Sequence, residues 1–237
     1  MKPPNRKTRV FVVDYGLGNL YSVERALSYV GAEVKITDSP DEILSADRLV
    51  LPGVGTFGDG MAQLKKRNLI GPIKQYCERG RPLLGICLGM QILFSEGEEF
   101  GVHRGLDLIH GRVVRLKLSA RGERSSYKIP HVGWNKLLYP RGVNSREVTA
   151  FAEGRPPWNN TILENLTEKV FMYFVHSNVV LPDDPLLCLA ETIYGDNIFC
   201  SAIQKENICS CQFHPERSGD AGLEIYKRFV FGFNEKD

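Results

Sequence analysis

The first ninety residues alternate short apolar runs with longer amphipathic segments. Strand-like runs occupy positions 9–14, 33–37, 48–51 and 82–86. Between them, apolar residues recur every three or four positions, which is typical of a helix with one buried face; an example is the set Leu20, Val23, Leu27 and Val30. A short helix is predicted after Ser39-Pro40, and a longer helical region up to about residue 79, interrupted near Gly71-Pro72. This alternation predicts right-handed crossovers and a parallel sheet.

The pattern changes after Gly111. Strand-like runs follow with little helix between them, at 112–118, 131–138, 170–175, 186–193, 198–204 and 208–213, and one closing helix is predicted at 221–233. Segments 119–128 and 140–168 are rich in Arg, Gly, Pro, Asn and Ser and are predicted surface excursions. We therefore predict an α/β fold: an open, mostly parallel central sheet flanked by helices, with antiparallel additions in the C-terminal half, in a single domain spanning residues 1–237.

The composition argues against some classes of binding partner. The net charge is only +2 and no basic stripe is present, so neither a nucleic acid nor an anionic membrane surface is expected. No apolar run reaches the roughly eighteen residues that a membrane helix needs. The N-terminus lacks the apolar segment of a secretory signal, and six cysteines in 237 residues do not resemble a secreted disulfide framework. We expect a cytoplasmic protein.

The most informative stretch is Gly-Ile-Cys-Leu-Gly around Cys87. A strand is predicted to end there and a helix over 88–94 to begin at once, which is the geometry of a nucleophile elbow. Gly85 and Gly89 suit a turn with little room for side chains. The start of a helix favours a thiolate, and the Leu88 N–H could donate to an oxyanion. Cys87 is therefore the candidate nucleophile, whereas the other five cysteines are interpreted as ordinary buried thiols.

A cysteine nucleophile needs a base, and the base needs an orienting group. His214 stands at the end of the apolar run 208–213, where parallel pairing could bring it beside Cys87. Glu216 follows two residues later and could hold the imidazole. No second ligand pair at zinc spacing accompanies Cys209 and Cys211, so no metal site is predicted.

Two loops contain glycines, and only one of them is predicted to belong to the site. The loop Gly53-Val54-Gly55 follows the third predicted strand, so it would lie near Cys87 at the carboxyl edge of the sheet, and its glycines allow close approach to a substrate. Segment 14–19 lacks the third glycine of a dinucleotide fingerprint, because Tyr21 occupies that place. No cofactor is predicted.

Together, Gly-Ile-Cys87-Leu-Gly-Met-Gln and Gln-Phe-His214-Pro-Glu216 resemble the class I (triad) glutamine amidotransferases. Within that class, the chain is similar to the glutaminase subunit of imidazole glycerol phosphate synthase over roughly residues 9–233. The segments that carry this similarity are 14–19, 51–58, 128–135 and 173–177. The resemblance implies that Cys87 attacks the glutamine side-chain amide and releases ammonia, and that His214 shuttles protons while water hydrolyses the thioester.

The resemblance also implies binding roles. The oxyanion would be held by the Leu88 N–H and by an N–H of the Gly53–Gly55 loop, and glutamine would be bound by Gln91, His176 and Ser177. In this family, ammonia passes to a (β/α)8-barrel cyclase that makes imidazole glycerol phosphate and an aminoimidazole carboxamide ribotide. Trp134 and Asn135 would lie at that interface.

The same resemblance implies a need for control, because a free glutaminase would waste glutamine. We hypothesise that the resting Gly53–Gly55 loop points a carbonyl at the oxyanion position and rotates when the partner binds. Gly55→Pro is expected to block that rotation.

Three alternatives remain open from the residues. Segment 99–105 also resembles paralogues that supply ammonia for amidination of a surface-polysaccharide sugar. A standalone γ-glutamyl-type cysteine hydrolase would share the elbow and the triad but work without a partner. A degenerate binding module without chemistry is disfavoured by the intact Cys87, His214 and Glu216.

Overall fold

A computed structural model describes residues 7–117, 127–141 and 158–232. In the first half, four strands alternate with four helices: β1 (Arg9–Val13), α1 (Leu20–Tyr29), β2 (Glu33–Thr37), α2 (Pro40–Ser45), β3 (Arg48–Leu51), α3 (Phe57–Lys66), α4 (Ile70–Glu78) and β4 (Leu83–Ile86). This order agrees with the alternation predicted from the sequence. The predicted surface segment 119–128 lies almost entirely outside the described residues, as do positions 142–157 of the predicted segment 140–168. The described part of that second segment, 158–168, buries Trp158, Ile162 and Leu163 in the core, so the surface prediction was wrong there.

The second half is mainly strands. They follow as α5 (Leu88–Gln91), β5 (Phe94–Gly97), β6 (His103–Arg104), β7 (Ile109–Arg115), β8 (His131–Lys136), β9 (Phe171–His176), β10 (Asn178–Pro182), β11 (Cys188–Tyr194), β12 (Asn197–Lys205), β13 (Ile208–Cys211) and α6 (Gly219–Phe231). Single 3₁₀ turns cover Pro185–Leu187 and Pro215–Arg217. None of the helices in the described ranges is long and apolar enough to cross a membrane.

One large sheet organises the chain, in the order β2-β1-β3-β4-β13-β12-β10-β7-β5-β6, with β11 also paired to β12. The five strands from β2 to β13 run parallel, whereas β12 is antiparallel to both β13 and β10. Strands β8 and β9 form a separate antiparallel pair. The predicted α/β class, with a mostly parallel centre and antiparallel additions, is confirmed.

The sheet is buried on both faces. Side chains alternate along a strand, so Val10 and Val12 of β1 lie in one apolar cluster with α1 and α6, whereas Phe11 and Val13 lie in the other with α3 and α4. Strands β3 and β4 are buried at every position, as expected for central parallel strands. The carboxyl ends of β3, β4 and β13 therefore meet at one fixed edge of the sheet.

Local predictions failed where the chain leaves α5. The helix predicted over 88–94 ends at Gln91, and the chain enters β5 at Phe94, paired with Ile109 of β7. An apolar run of this length suits a strand or a helix, and tertiary pairing decides between them. Strand β10 was not predicted. The break between α3 and α4 lies near Asn68, at φ 58°, and not at Gly71-Pro72, which occupies the first turn of α4, where a missing N–H costs little.

Candidate active site

Cys87 lies in the sharp turn between β4 and α5. Its backbone is at φ 54° and ψ −107°, a strained conformation for a residue with a side chain. A Cβ at Gly89 would lie 1.7 Å from the Leu51 carbonyl oxygen, and one at Gly85 would lie 2.9 Å from Leu93 Cδ1. The glycines are therefore required by space, as predicted. Helix α5 has only four residues, so we attribute little stabilisation of a thiolate to its dipole.

His214 is brought to Cys87 by the parallel pairing of β13 with β4, in which Cys211 lies opposite Ile86. His214 Nδ1 is 2.8 Å from Glu216 Oε1, and both side chains are buried. Burial lowers the pKa of His214, but the neighbouring Cys87 and Glu216 outweigh it and raise the pKa to about 10. The carboxylate therefore fixes Nδ1 as the protonated nitrogen and favours the imidazolium.

The nucleophile and the base are close, but their alignment is poor. His214 Nε2 is buried and makes no well-formed hydrogen bond within the described ranges, although Cys87 lies within hydrogen-bonding reach and raises the pKa of His214. The Cys87 thiol is instead 3.7 Å from the Val175 carbonyl oxygen and 3.6 Å from Gln212 Nε2. Proton transfer therefore requires the thiol to turn toward Nε2.

A cavity of about 250 Å³ opens onto Cys87. The structure brings most of the predicted site residues to its wall: Val54, Gly55, Cys87, Leu88, Gln91, His176 and Ser177. Four residues that the sequence did not identify complete it: Glu99, Pro130, Val175 and Asn178. His214, Glu216 and Gly53 do not line the cavity; the first two lie behind Cys87, and Gly53 contacts Leu88 from the loop.

The glycine loop faces Leu88 with a carbonyl group. Gly53 O accepts a hydrogen bond from Leu88 N at 3.3 Å, so the N–H predicted to hold an oxyanion is occupied. Tyr15 is buried, and its hydroxyl donates to Pro52 O at 2.6 Å, which anchors the start of the loop. Gly55 is at φ +132°, whereas proline requires φ near −65°. Gly55→Pro would therefore disrupt the observed loop, and the expectation that it would lock this state was wrong.

Gln91 and His176 are held by a shared acceptor. Gln91 Nε2 donates to Asn178 O at 3.3 Å and to Gln212 Oε1 at 3.0 Å, which leaves its own Oε1 for a ligand. His176 Nδ1 is 2.9 Å from the same Asn178 O, and its Nε2 is 3.0 Å from His131 Nδ1. Burial lowers the pKa of His176 to about 3 and that of His131 to about 4, so both rings are neutral near pH 7.

Glu99 is a cavity-lining residue that motif analysis missed. Its Oε2 accepts a hydrogen bond from Phe57 N at 2.9 Å, and a carboxylate at this wall suits the ammonium group of an amino acid. Sequence analysis singled out segment 99–105 only for its resemblance to the polysaccharide paralogues and assigned Glu99 no role. Gln212 was also missed, although it stands within the His214 motif.

The proposed interface residues lie on the two-stranded sheet. The Trp134 side chain is 55% exposed, and Val132 and Phe171 beside it are exposed as well. Asn135 is half-buried and donates to Ile193 O at 2.9 Å. Across the three described ranges, His, Cys, Asp and Glu side chains form no group of three or more that could hold a metal ion.

Comparison with known proteins decides the family. The glutamine amidotransferase class-I family matches residues 11–233. The chain belongs to this family. It is 48% identical over 221 residues to "Imidazole glycerol phosphate synthase subunit HisH 1" of Legionella pneumophila strain Paris, covering 93% of this chain and 98% of that one. The HisH subunit of Aquifex aeolicus is 42% identical over 222 residues, 93% of this chain and 95% of that one. This amidotransferase also shares its fold with a solved structure of PurLQS from Thermotoga maritima, at a TM-score of 0.64 and 19% identity over 95% of this chain and 98% of that one.

Proposed function

We propose that this class-I amidotransferase is the glutaminase subunit of an imidazole glycerol phosphate synthase. The observation that carries the proposal is the buried His214–Glu216 pair, 2.8 Å apart, beside the strained elbow cysteine Cys87 at the wall of one cavity. The chain covers nearly the full length of the relatives named HisH, at 38–48% identity. No relative that we compared favours the polysaccharide paralogue or the standalone hydrolase.

The chemistry follows from the positions of the three residues. His214 Nε2 takes the proton from the Cys87 thiol, and the sulfur attacks the side-chain amide carbon of glutamine. The carbon–nitrogen bond breaks as ammonia leaves with a proton from His214, and a γ-glutamyl thioester remains. A water molecule then gives a proton to His214 and attacks the thioester, which releases glutamate and the thiol. Glu216 stabilises the imidazolium in both halves of the reaction.

Substrate binding uses the wall of the cavity. Gln91 offers its Oε1, and His176 and Ser177 line the same cavity. The Leu88 N–H becomes an oxyanion donor only when the Gly53 carbonyl turns away. Losing one oxyanion donor typically costs about 10²–10³ in rate, so we expect a subunit with the observed loop to hydrolyse glutamine slowly.

The partner is a (β/α)8-barrel cyclase that receives the ammonia and forms imidazole glycerol phosphate and an aminoimidazole carboxamide ribotide. The exposed Trp134, with Asn135 beside it, supports a docking surface on the β8–β9 pair. A cytoplasmic location fits a biosynthetic role of this kind and the six free cysteines.

Glutamate release should be measured for the isolated chain, and again with the cyclase and its ribotide acceptor. We expect slow release alone, strong stimulation in the acceptor-bound complex, and imidazole glycerol phosphate as product. Rapid release by the isolated chain would favour the standalone hydrolase. Stimulation only by a sugar-amidinating partner would favour the polysaccharide paralogue.

A further inference from the structure

Gln212 is a fully buried polar residue between β13 and His214, and its amide contacts the nucleophile. Its Nε2 lies 3.6 Å from Cys87 Sγ, and its Oε1 accepts a hydrogen bond from Gln91 Nε2 at 3.0 Å. We propose that Gln212 is a positioning residue for Cys87: its amide N–H holds the sulfur and favours the thiolate. The inference rests on the proposed function, because it assumes that Cys87 is the nucleophile.

The direction of the Gln212 amide is fixed by its neighbours. A backbone carbonyl can only accept hydrogen bonds, so the Gln91 atom next to Asn178 O must be the nitrogen. That same nitrogen can only donate, so the Gln212 atom facing it must be the oxygen. The remaining terminal atom of Gln212, the one beside Cys87 Sγ, is therefore the amide nitrogen.

The Asn178 carbonyl that sets this direction is itself held from the other side. His176 Nδ1 lies 2.9 Å from it, so this ring nitrogen carries the proton and Nε2 accepts from His131 Nδ1 at 3.0 Å. His131 Nε2 then faces Asn135 Nδ2 at 3.4 Å, a donor that Ile193 O also engages. Each hydrogen bond in this chain has one possible direction, so the amide of Gln212 has no alternative orientation to adopt.

The two contacts of the sulfur have opposite preferences. Val175 O can only accept, so it matches the neutral thiol. The Gln212 N–H can only donate, and a hydrogen bond to an ionised acceptor is about twice as strong as one between neutral groups. Ionisation of Cys87 therefore weakens the contact with Val175 and strengthens the contact with Gln212. The Gln212 N–H therefore stabilises the sulfur in its thiolate form, which is the form that attacks the substrate.

The test uses two variants and follows the alkylation of Cys87 by iodoacetamide against pH, quantified on the Cys87 peptide by mass spectrometry. Gln212→Glu has the same size and still accepts from Gln91, but it places an acceptor against the sulfur. Gln212→Leu removes both contacts. Because a hydrogen bond to a charged group is lost, the pH of half-maximal alkylation should rise by about one unit or more in each variant. Gln212→Glu also adds a titratable carboxyl beside the sulfur, so the uncharged Gln212→Leu shows whether loss of the donor alone shifts the profile. The other titratable groups beside Cys87 are His214, Tyr15 and Cys211, and they are the same in all chains compared.

A matched control is Gln204→Glu. The Cys209 thiol donates to Gln204 Oε1 at 3.9 Å, toward the other end of the β12–β13 pair, so the same substitution adds a carboxyl beside a thiol that is not the nucleophile. This variant should alkylate Cys87 as the wild type does. In the partner complex, Gln212→Glu should lower kcat about tenfold or more with little change in KM. A purely structural role would lower the melting temperature without moving the alkylation profile.

A Gln212→Glu variant that folds and has the alkylation profile and kcat of the wild type would overturn the inference. This outcome is conclusive even if Gln212→Leu fails to fold. The alkylation assay uses the chain without its partner. A wild-type chain that the cyclase does not stimulate would therefore refute the proposed function, while the alkylation profile would still judge Gln212.

Discussion

Gly55→Ala should switch the glutaminase partly on without its partner. Gly55 is held at φ +132° in the loop whose Gly53 carbonyl occupies the Leu88 N–H. An alanine Cβ at this position would meet nothing closer than 3.7 Å, at Leu17 Cδ1, so the substitution adds backbone strain without a clash. Such strain costs about 1–3 kcal/mol, and every 1.4 kcal/mol is about tenfold in an equilibrium. The strain is relieved if the rearrangement also turns the Val54–Gly55 peptide and so changes the φ of Gly55, and the competent loop then becomes about tenfold more populated.

The assay is glutamate release by the isolated chain, compared with release in the acceptor-bound complex. We expect the basal rate of Gly55→Ala to rise about tenfold, within the 10²–10³ ceiling set by one oxyanion donor, while the stimulated rate changes little. Gly80→Ala is the matched control, since Gly80 is also at positive φ, has open space around it and lies before β4, at the opposite end of that strand from Cys87. If the melting temperatures of both variants decrease by similar amounts and the basal rate of Gly55→Ala does not rise, the loop hypothesis is wrong.

Two further predictions concern histidines. His214→Ala should reduce glutamine-dependent kcat by several orders of magnitude, because members of a catalytic unit act together. Glu216→Gln should reduce kcat less. Equal losses of kcat in steady-state assays would give the carboxylate a role beyond orientation. Burial lowers the pKa of His131 to about 4 and that of His176 to about 3 in the folded protein. As the pH falls, these histidines are therefore protonated in the unfolded chain before they are protonated in the folded one, and the free energy of unfolding should fall below about pH 6.5. Urea unfolding against pH should show a shallower decline for His131→Asn than for the wild type or for the exposed control His110→Asn, and parallel declines would contradict this account.

The sequence predicted those features that are local or periodic. The turn at Cys87 was predictable because the glycines on both sides leave room that no other residue would. The strands around it were predictable because their apolar runs are short and end at turn residues. Helix α1 was equally clear from its apolar spacing, and the structure adds an N-cap at Asn19, whose side chain accepts from Ser22 N. These signals depend on a few neighbouring residues, so they survive without knowledge of the rest of the fold.

What escaped prediction depends on residues distant in the chain. Strand β5 exists because Phe94 meets Ile109, and the run around it has no feature that excludes a helix. Glu99 reaches the cavity through a contact with Phe57, which lies 42 positions earlier. The orientation of the Gly53 carbonyl could be hypothesised but not located, since it depends on the Leu88 N–H and on the Tyr15 hydroxyl, which holds the neighbouring Pro52 carbonyl.

The central claim is that Cys87 is the nucleophile of a glutaminase that feeds its partner with ammonia. The most direct test labels the chain with a glutamine-like diazo-ketone and maps the product by peptide mass, then compares wild type with Cys87→Ala in the cyclase complex. We expect label on Cys87 alone, and a variant that has lost glutamine-dependent turnover but retains turnover with added ammonium salt. Label on any of the other five cysteines, or glutamine-dependent turnover that survives Cys87→Ala, would contradict the account.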